Sequence, residues 1–418
     1  MSFRIALTGL GAASADLGVI ANNIANTATS GFKSSRAEFA ELVSSGIAPT
    51  RNDLSGSGVQ VAQVTQQHTQ GNLAFTGNSL DLGISGEGFF RVSDAGSMVY
   101  TRAGQFKTDR EGYIVNNAGH RLTGYQSDAN GNITGVLGDI QLPTSDLAPR
   151  VTSEVEVGMN LDAADPQPTM APFDRGNPMT FNHSTSLSIY DSLGAAHTMT
   201  TYYMKNAGAN SWDIAVSVDD TDPTNLTLGA NTLNFLTDGT IDPVTSPQPI
   251  NVDVDMAAVA TELGTTNGAV TPLSLTLDFS QSTQYGSPFG THSLIQDGYS
   301  TGRLAGIDID DTGVLFGRYT NGQSQSISQV ALANFSNPQG LANLGDTVWA
   351  ETYAAGSPLV GAPGSASLGS IESGAFEESN VEITEELVAM ISAQRNFQAN
   401  AQVISTTDTL TQTIINLR

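Results

Sequence analysis

Five histidines, at positions 68, 120, 183, 197 and 292, are the side chains best suited to metal ligation or proton transfer near neutral pH. They are scattered without ligand spacing, and each reads as a solvated or hydrogen-bonded loop residue. Asp308-Ile309-Asp310-Asp311-Thr312-Gly313 opens like a calcium loop, with glycine at the sixth place. The twelfth place holds Tyr319, where a bidentate glutamate is needed. Asp128, Asn130 and Asn132 have similar spacing, but Ile133 takes the glycine position. Both stretches read as hairpin turns. No phosphate-cradling G-x-x-x-x-G-K occurs, and no G-x-S-x-G elbow lies between a strand and a helix. Cysteine is absent, which removes disulfides, thiolate metal sites and thiol nucleophiles. The chain therefore reads as a non-enzymatic protein without catalytic residues, metal or cofactor.

The 418 residues suggest two to four domains at about 150 residues each. Charged residues make up 14%, against about 25% in an average globular protein. The 41 acidic and 16 basic side chains give a net charge of −25. That balance excludes a large nucleic-acid footprint and disfavours binding to an anionic membrane surface. Residues 146–290 hold 17 acids against Arg150, Arg175 and Lys205, a net −14. Residues 1–75 balance four bases with four acids. No run of 18 consecutive apolar residues occurs, so no membrane insertion is expected.

The two ends are helical and carry a heptad pattern. Phe3, Leu10, Leu17 and Ile24 recur every seven residues, with Ala6, Ala13 and Ile20 at the complementary position. Gly9, Gly11 and Gly18 interrupt this helix at roughly 1 kcal/mol each relative to alanine, so it needs partners. At the other end Met390, Phe397 and Ile404 are spaced by seven, as are Val403, Leu410 and Leu417. The drift between the two sets is that of a 3.6-residue helix against a 3.5 repeat. The ends are thus expected to pair as a coiled coil and to form an assembly seam of Phe3, Leu10, Leu17, Ile20, Ile24, Met390, Phe397, Ile404, Leu410 and Leu417. Arg4 followed by Ala13-Ser14-Ala15 imitates a secretory signal with its cleavage site. The heptad runs through that point to Ile24, which favours an uncleaved N-terminus.

Ser44–Gly58 and Gly356–Gly369 are rich in Gly, Ser, Pro and Ala and read as linkers. The body between them reads as β-rich and antiparallel. Strands are expected at 88–92, 98–101, 186–190, 199–204 and 271–279, with turns at 109–112, 128–131 and 191–194. No alternation of strands with long helices suggests a parallel α/β sheet. The expected organisation is a terminal helical domain of 1–30 and 375–418, and extended arms of 31–70 and 356–374. An inner β domain of 71–147 and 288–355 follows, with an inserted outer β domain at 148–287.

Four stretches together resemble the bacterial flagellar rod and hook axial proteins. Ala21-Asn22-Asn23-Ile24-Ala25-Asn26-Thr27, followed by Gly31-Phe32-Lys33, resembles the N-terminal signature of that family. Leu80–Phe90 and Tyr100–Phe106 resemble its next two blocks. Ser379-Asn380 with Met390–Asn400, including Gln394, Arg395, Ala399 and Asn400, resembles its C-terminal signature, with Phe397 where tyrosine is common. The insertion, with Ile189-Tyr190-Asp191-Ser192-Leu193-Gly194, resembles the hook-forming rather than the rod-forming members. The resemblance implies a structural subunit of a flexible curved tube, a universal joint between rod and filament that transmits motor torque. It implies export through the flagellar secretion apparatus to the basal body and hook outside the cell. The implied partners are identical subunits, rod and hook–filament junction proteins, a hook cap and the export apparatus. A distal rod protein and a secreted β-rich adhesin are the alternative readings.

Overall fold

The computed structural model describes residues 2–42, 56–128, 131–208, 210–265 and 268–416. Two long helices form the ends: α1 (Ser2–Ala25) and α3 (Ile383–Asn416). Between them the described chain is mostly β, with one short helix, α2 (Met256–Glu262). The Asp255 carboxylate caps α2 by accepting from the Ala257 and Ala258 amides. Glu385 and Glu386 in the first turn of α3 complement its N-terminal dipole.

The chain divides into two compact units. The first comprises residues 1–144, 306–318 and 324–418; the second comprises 145–305 and 319–323. The first unit begins with α1 and a two-stranded antiparallel ribbon, β1 (Ser35–Glu41) and β2 (Val59–Gln66), bulged between Glu38 and Phe39. Two short strands follow. β3 (Leu73–Phe75) pairs with Ala375–Glu377, and β4 (Leu82–Ser85) pairs with Ser370–Ser373. The segment leading into α3 is thereby bound to the body. The strand Leu359–Gly361 pairs with Leu332–Asn334, and Leu368 is buried, so part of 356–369 also belongs to the sheet.

The centre of this unit is β5 (Phe89–Asp94), flanked by β6 (Ser97–Thr101) and Arg121–Ser127. Successive side chains of a strand point to opposite faces. Phe90 and Val92 enter one core with Leu82, Ile84, Leu122 and Ile140. Phe89 enters the other with Tyr100, Phe335 and Trp349. The adjacent pair Phe89-Phe90 therefore serves both cores, one ring to each face.

The second unit packs two sheets around one core. His183–Tyr190, Ala196–Lys205, Ser211–Val218 and Thr232–Asn234 form an antiparallel sheet. The other sheet centres on Glu154–Asp162, which pairs antiparallel with Gly290–Gln296. It also pairs parallel with Leu273–Asp278 and Thr283–Tyr285. These parallel pairs depart from the expected all-antiparallel body. Val155, Val157, Met159 and Leu161 of that sheet meet Ile189, Met199, Trp212 and Val216 of the first.

The turns follow their sequence chemistry. Asp109, Asp191 and Asp310 each accept backbone amides two and four residues on, closing Asx-type turns. Asp128 accepts the Asn132 amide in the same way. Residues 129–130 of that turn, and 44–55 of the first expected linker, lie outside the described residues.

Candidate functional site

The terminal helices lie side by side and antiparallel. The Asn23 amide donates to Glu386 Oε1 at 2.9 Å. Toward the other end of α1, a Cβ on Gly9 would stand 2.7 Å from Asn400 Oδ1. The two ladder points are equally spaced along both helices, which requires opposite directions. A side chain at Gly9 would therefore meet Asn400 of α3. Gly11 and Gly18 have nothing within 4 Å of an added Cβ.

Burial along α1 follows the heptad. Positions 6, 10, 13, 17, 20 and 24 are all covered to some degree, with Ala6, Ala13 and Ile20 fully buried. On α3 the covered positions include 386, 390, 393, 397, 400, 404 and 407, alternating steps of four and three. Ala393 is the most buried of them. Leu10, Leu17, Ile24, Met390, Phe397 and Ile404 are half-buried. Phe3 is 47% exposed and Leu410 60% exposed, while Leu417 lies outside the described residues. Burial pushes the Asp16 carboxyl of α1 above the ordinary carboxylate range.

Although no uninterrupted apolar run reaches membrane length, α1 as a whole is apolar. Phe3–Ala25 has a mean hydropathy of 1.3 and is long and apolar enough to cross a membrane by those criteria. Its apolar stripe is covered here by α3 and the β1–β2 ribbon. Outside the covered stripes, Ile5, Leu7, Ile383, Leu387, Val388, Ile391 and Val403 remain exposed.

The family-signature residues meet where both helices enter the body. Asn23 is buried, and its side chain exchanges two hydrogen bonds with the Ser35 backbone. Asn26 closes the end of α1 by donating to the Asn22 carbonyl and accepting from Thr29 Oγ1, while Thr27 Oγ1 donates to the Ile24 carbonyl. Gly31 has φ +68°, and a Cβ there would overlap the Ala103 backbone nitrogen. From the other end, the Asn380 side chain accepts from the Ser34 amide at 2.7 Å and donates to Gln67 O at 2.8 Å. Its backbone amide reaches the Phe32 carbonyl. Ser379 Oγ accepts from the Val381 amide. Ala21, Asn22, Ala25, Gln394, Arg395 and Ala399 face outward.

Beneath these lies a buried charge cluster. Lys33 Nζ is 2.6 Å from Glu377 Oε1 and donates to the Thr69 carbonyl at 2.6 Å. Arg102 Nη1 is 3.0 Å from Glu377 Oε2, and its Nη2 donates to Gly86 O. The Gly71 amide donates to Glu377 Oε1 at 2.7 Å. Burial pushes the Lys33 ammonium down, and the Arg102 charge adds to that; Glu377 opposes both.

His68 stands beside this cluster, edge-on to Phe89 and Trp349 at 5.7 Å each. Burial, with Lys33 and Arg102 nearby, lowers its pKa to about 4, against a hydrogen bond to the Pro338 backbone. His68 is thus a hydrogen-bonded loop histidine, one of the two states expected, and it packs against aromatic rings rather than standing in solvent. His183 and His197 are hydrogen-bonded: His183 to Asp165, and His197 between Asp219 and Asp191. Among the described residues no group of three or more acidic or histidine side chains forms a metal-binding cluster.

The sequence motifs include Lys33, and Arg102 lies in the Tyr100–Phe106 block; His68 is read only as a loop histidine, and Glu377 belongs to no motif. An acid before a helix reads first as a dipole partner. The signal that distinguishes Glu377 is its position in β pairing, where it faces inward opposite Leu73.

The geometry can be set beside known proteins. The family model described as flagella basal body rod protein matches residues 3–33, and the flagellar basal body rod C-terminal model matches 372–417. The flagellar hook D1 domain model matches 83–160, and the flagellar basal body FlaE D2 domain model matches 160–299. The flagellar hook protein FlgE of Escherichia coli is 40% identical over 100% of both chains. That of Borreliella burgdorferi is 32% identical over 96% of this chain and 95% of its own. The crystal structure of the Helicobacter pylori hook protein FlgE2 aligns with 72% of this chain and 99% of its own. Its TM-score is 0.50 at 14% identity, a likeness of fold. With relatives this similar along the full length, the chain belongs to the flagellar hook protein family.

Proposed function

We propose that this chain polymerises through α1 and α3 into the tube of the flagellar hook. That tube lies outside the cell, joins rod to filament and transmits torque while bending. The helices act as a coiled-coil pair, and neighbouring subunits cover what the pair leaves open. The observation that carries this is the set of large apolar side chains left exposed on the two helices: Ile5 and Leu7 on α1, and Leu387, Val388, Ile391 and Val403 on α3. Exposed apolar area on this scale marks an interaction surface. Head-to-tail contacts between identical subunits that do not close produce a helical polymer. The family resemblance adds the rod, junction, cap and export proteins as partners and export without a cleaved signal. The role is structural rather than catalytic.

Ile391→Asp tests this reading. Ile391 is 51% exposed, so a charge there leaves the folded monomer largely undisturbed. In a dry contact between subunits the same charge costs several kcal/mol. The variant is expected to stay monomeric well above the wild-type critical concentration, as judged by light scattering. Tubes at the wild-type concentration would contradict the reading.

A further inference from the structure

Resting on that reading of the termini, we propose that Glu377 is the positioning residue of the assembly surface. Its carboxylate ties the exits of both terminal helices to the β body, so that α1 and α3 take their direction together. Lys33 follows α1, which ends at Ala25, and Glu377 precedes α3, which starts at Ile383. Arg102 follows β6 in the body. One carboxylate therefore joins three separate stretches of chain, and through the Gly71 amide a fourth.

The charge count makes Glu377 unequal to its partners. The side chains of Lys33 and Glu377 are fully buried, and that of Arg102 is 4% exposed. Two cations share a single anion, and among the described residues no other ion pair reaches either cation. A buried charge stripped of its partner is far more costly than a buried pair. Without the Glu377 charge, two cations are stranded at the root of the helices. Without the Lys33 charge, a balanced Arg102–Glu377 pair remains. The network above the cluster carries its position outward, through Asn380 to Ser34 and Gln67 and through Asn23 to Ser35 and Glu386.

The experiment measures critical concentration for polymerisation of the full chain with E377Q, K33M and the K33M/E377Q double variant. Tryptophan fluorescence checks that each soluble monomer is folded. E377Q is expected to raise the critical concentration at least about tenfold, because it breaks a buried pair. K33M should raise it by less than about threefold. The double variant should fall between them, because removing one stranded cation relieves the other. A role in packing alone predicts a double variant worse than E377Q, and that result would overturn the proposal. So would a K33M defect equal to that of E377Q. If E377Q does not fold, restored folding and assembly in the double variant supports the proposal, and continued failure overturns it. Ile391→Asp separates the two readings. Normal assembly of Ile391→Asp removes the assembly surface itself, whereas blocked Ile391→Asp with normal E377Q removes only the role of Glu377.

Discussion

His68 is kept neutral by its surroundings, and that makes the body sensitive to acid. An unfolded histidine titrates near 6.5, while in the fold the value falls to about 4. Between those values the unfolded chain binds a proton that the folded chain does not. The histidine's contribution to stability is therefore complete above about pH 6.5 and is lost as the pH falls toward 4. A shift of this size corresponds to about 3 kcal/mol. Urea melts of wild type and His68→Gln at pH 7 and pH 4 check it. The stability of wild type relative to the variant is expected to drop by that amount on acidification; a constant difference would contradict the assignment. Such side chains are hard to read in sequence, because their environment is assembled from distant stretches. Lys33 and Glu377 are 344 residues apart, and Trp349 bonds Gln66 across 283. The terminal motifs identified the neighbourhood without its chemistry.

The helices were the most readable elements, because a heptad contains its own ruler. The expected helix over 3–24 is α1, Ser2–Ala25, and the C-terminal one is α3, Ile383–Asn416. Hydrophobicity alone did not rank which seam positions lie deepest. Ala6, Ala13 and Ala393 are more buried than Phe3 or Leu410, since small side chains admit the other helix closely. The glycines divide on the same ground. Gly11→Ala adds a Cβ in open space and is expected to stabilise α1 by about 1 kcal/mol. Gly9→Ala drives a Cβ against Asn400 and should weaken the pair, with Asn400→Ala relieving the damage. Thermal melts of the polymer followed by far-ultraviolet circular dichroism distinguish them. Equal tolerance of Gly9→Ala and Gly11→Ala would contradict the close approach. Strands were found where turns or alternation marked them. Parallel pairing of Glu154–Asp162 was not, because it depends on partners more than 100 residues away. Glycine- and serine-rich composition also cannot separate a linker from short paired strands, as Leu359–Gly361 illustrates.

For the assembled molecule, charge and burial act in opposite directions. Residues 146–290 carry a net −14 in every copy. Like charges on adjacent copies repel within a Debye length of about 8 Å at physiological ionic strength. Added salt at neutral pH should therefore lower the critical concentration, and a variant lacking 148–287 should lose that dependence. Equal salt dependence in the two chains would show that this charge does not govern assembly. Mild acid also reduces the repulsion but enters the range in which His68 weakens the body, so salt is the cleaner variable. The central claim is that the terminal helices, not the β body, drive polymerisation. It is tested most directly by comparing the full chain with a fragment of residues 70–378. That fragment retains the pairings of β3 and β4 with 370–377 and the Arg102–Glu377 ion pair. Sedimentation and electron microscopy, at concentrations where the full chain forms tubes, should find the fragment folded, cooperative in melting and monomeric. Tubes formed by the fragment alone would contradict the account.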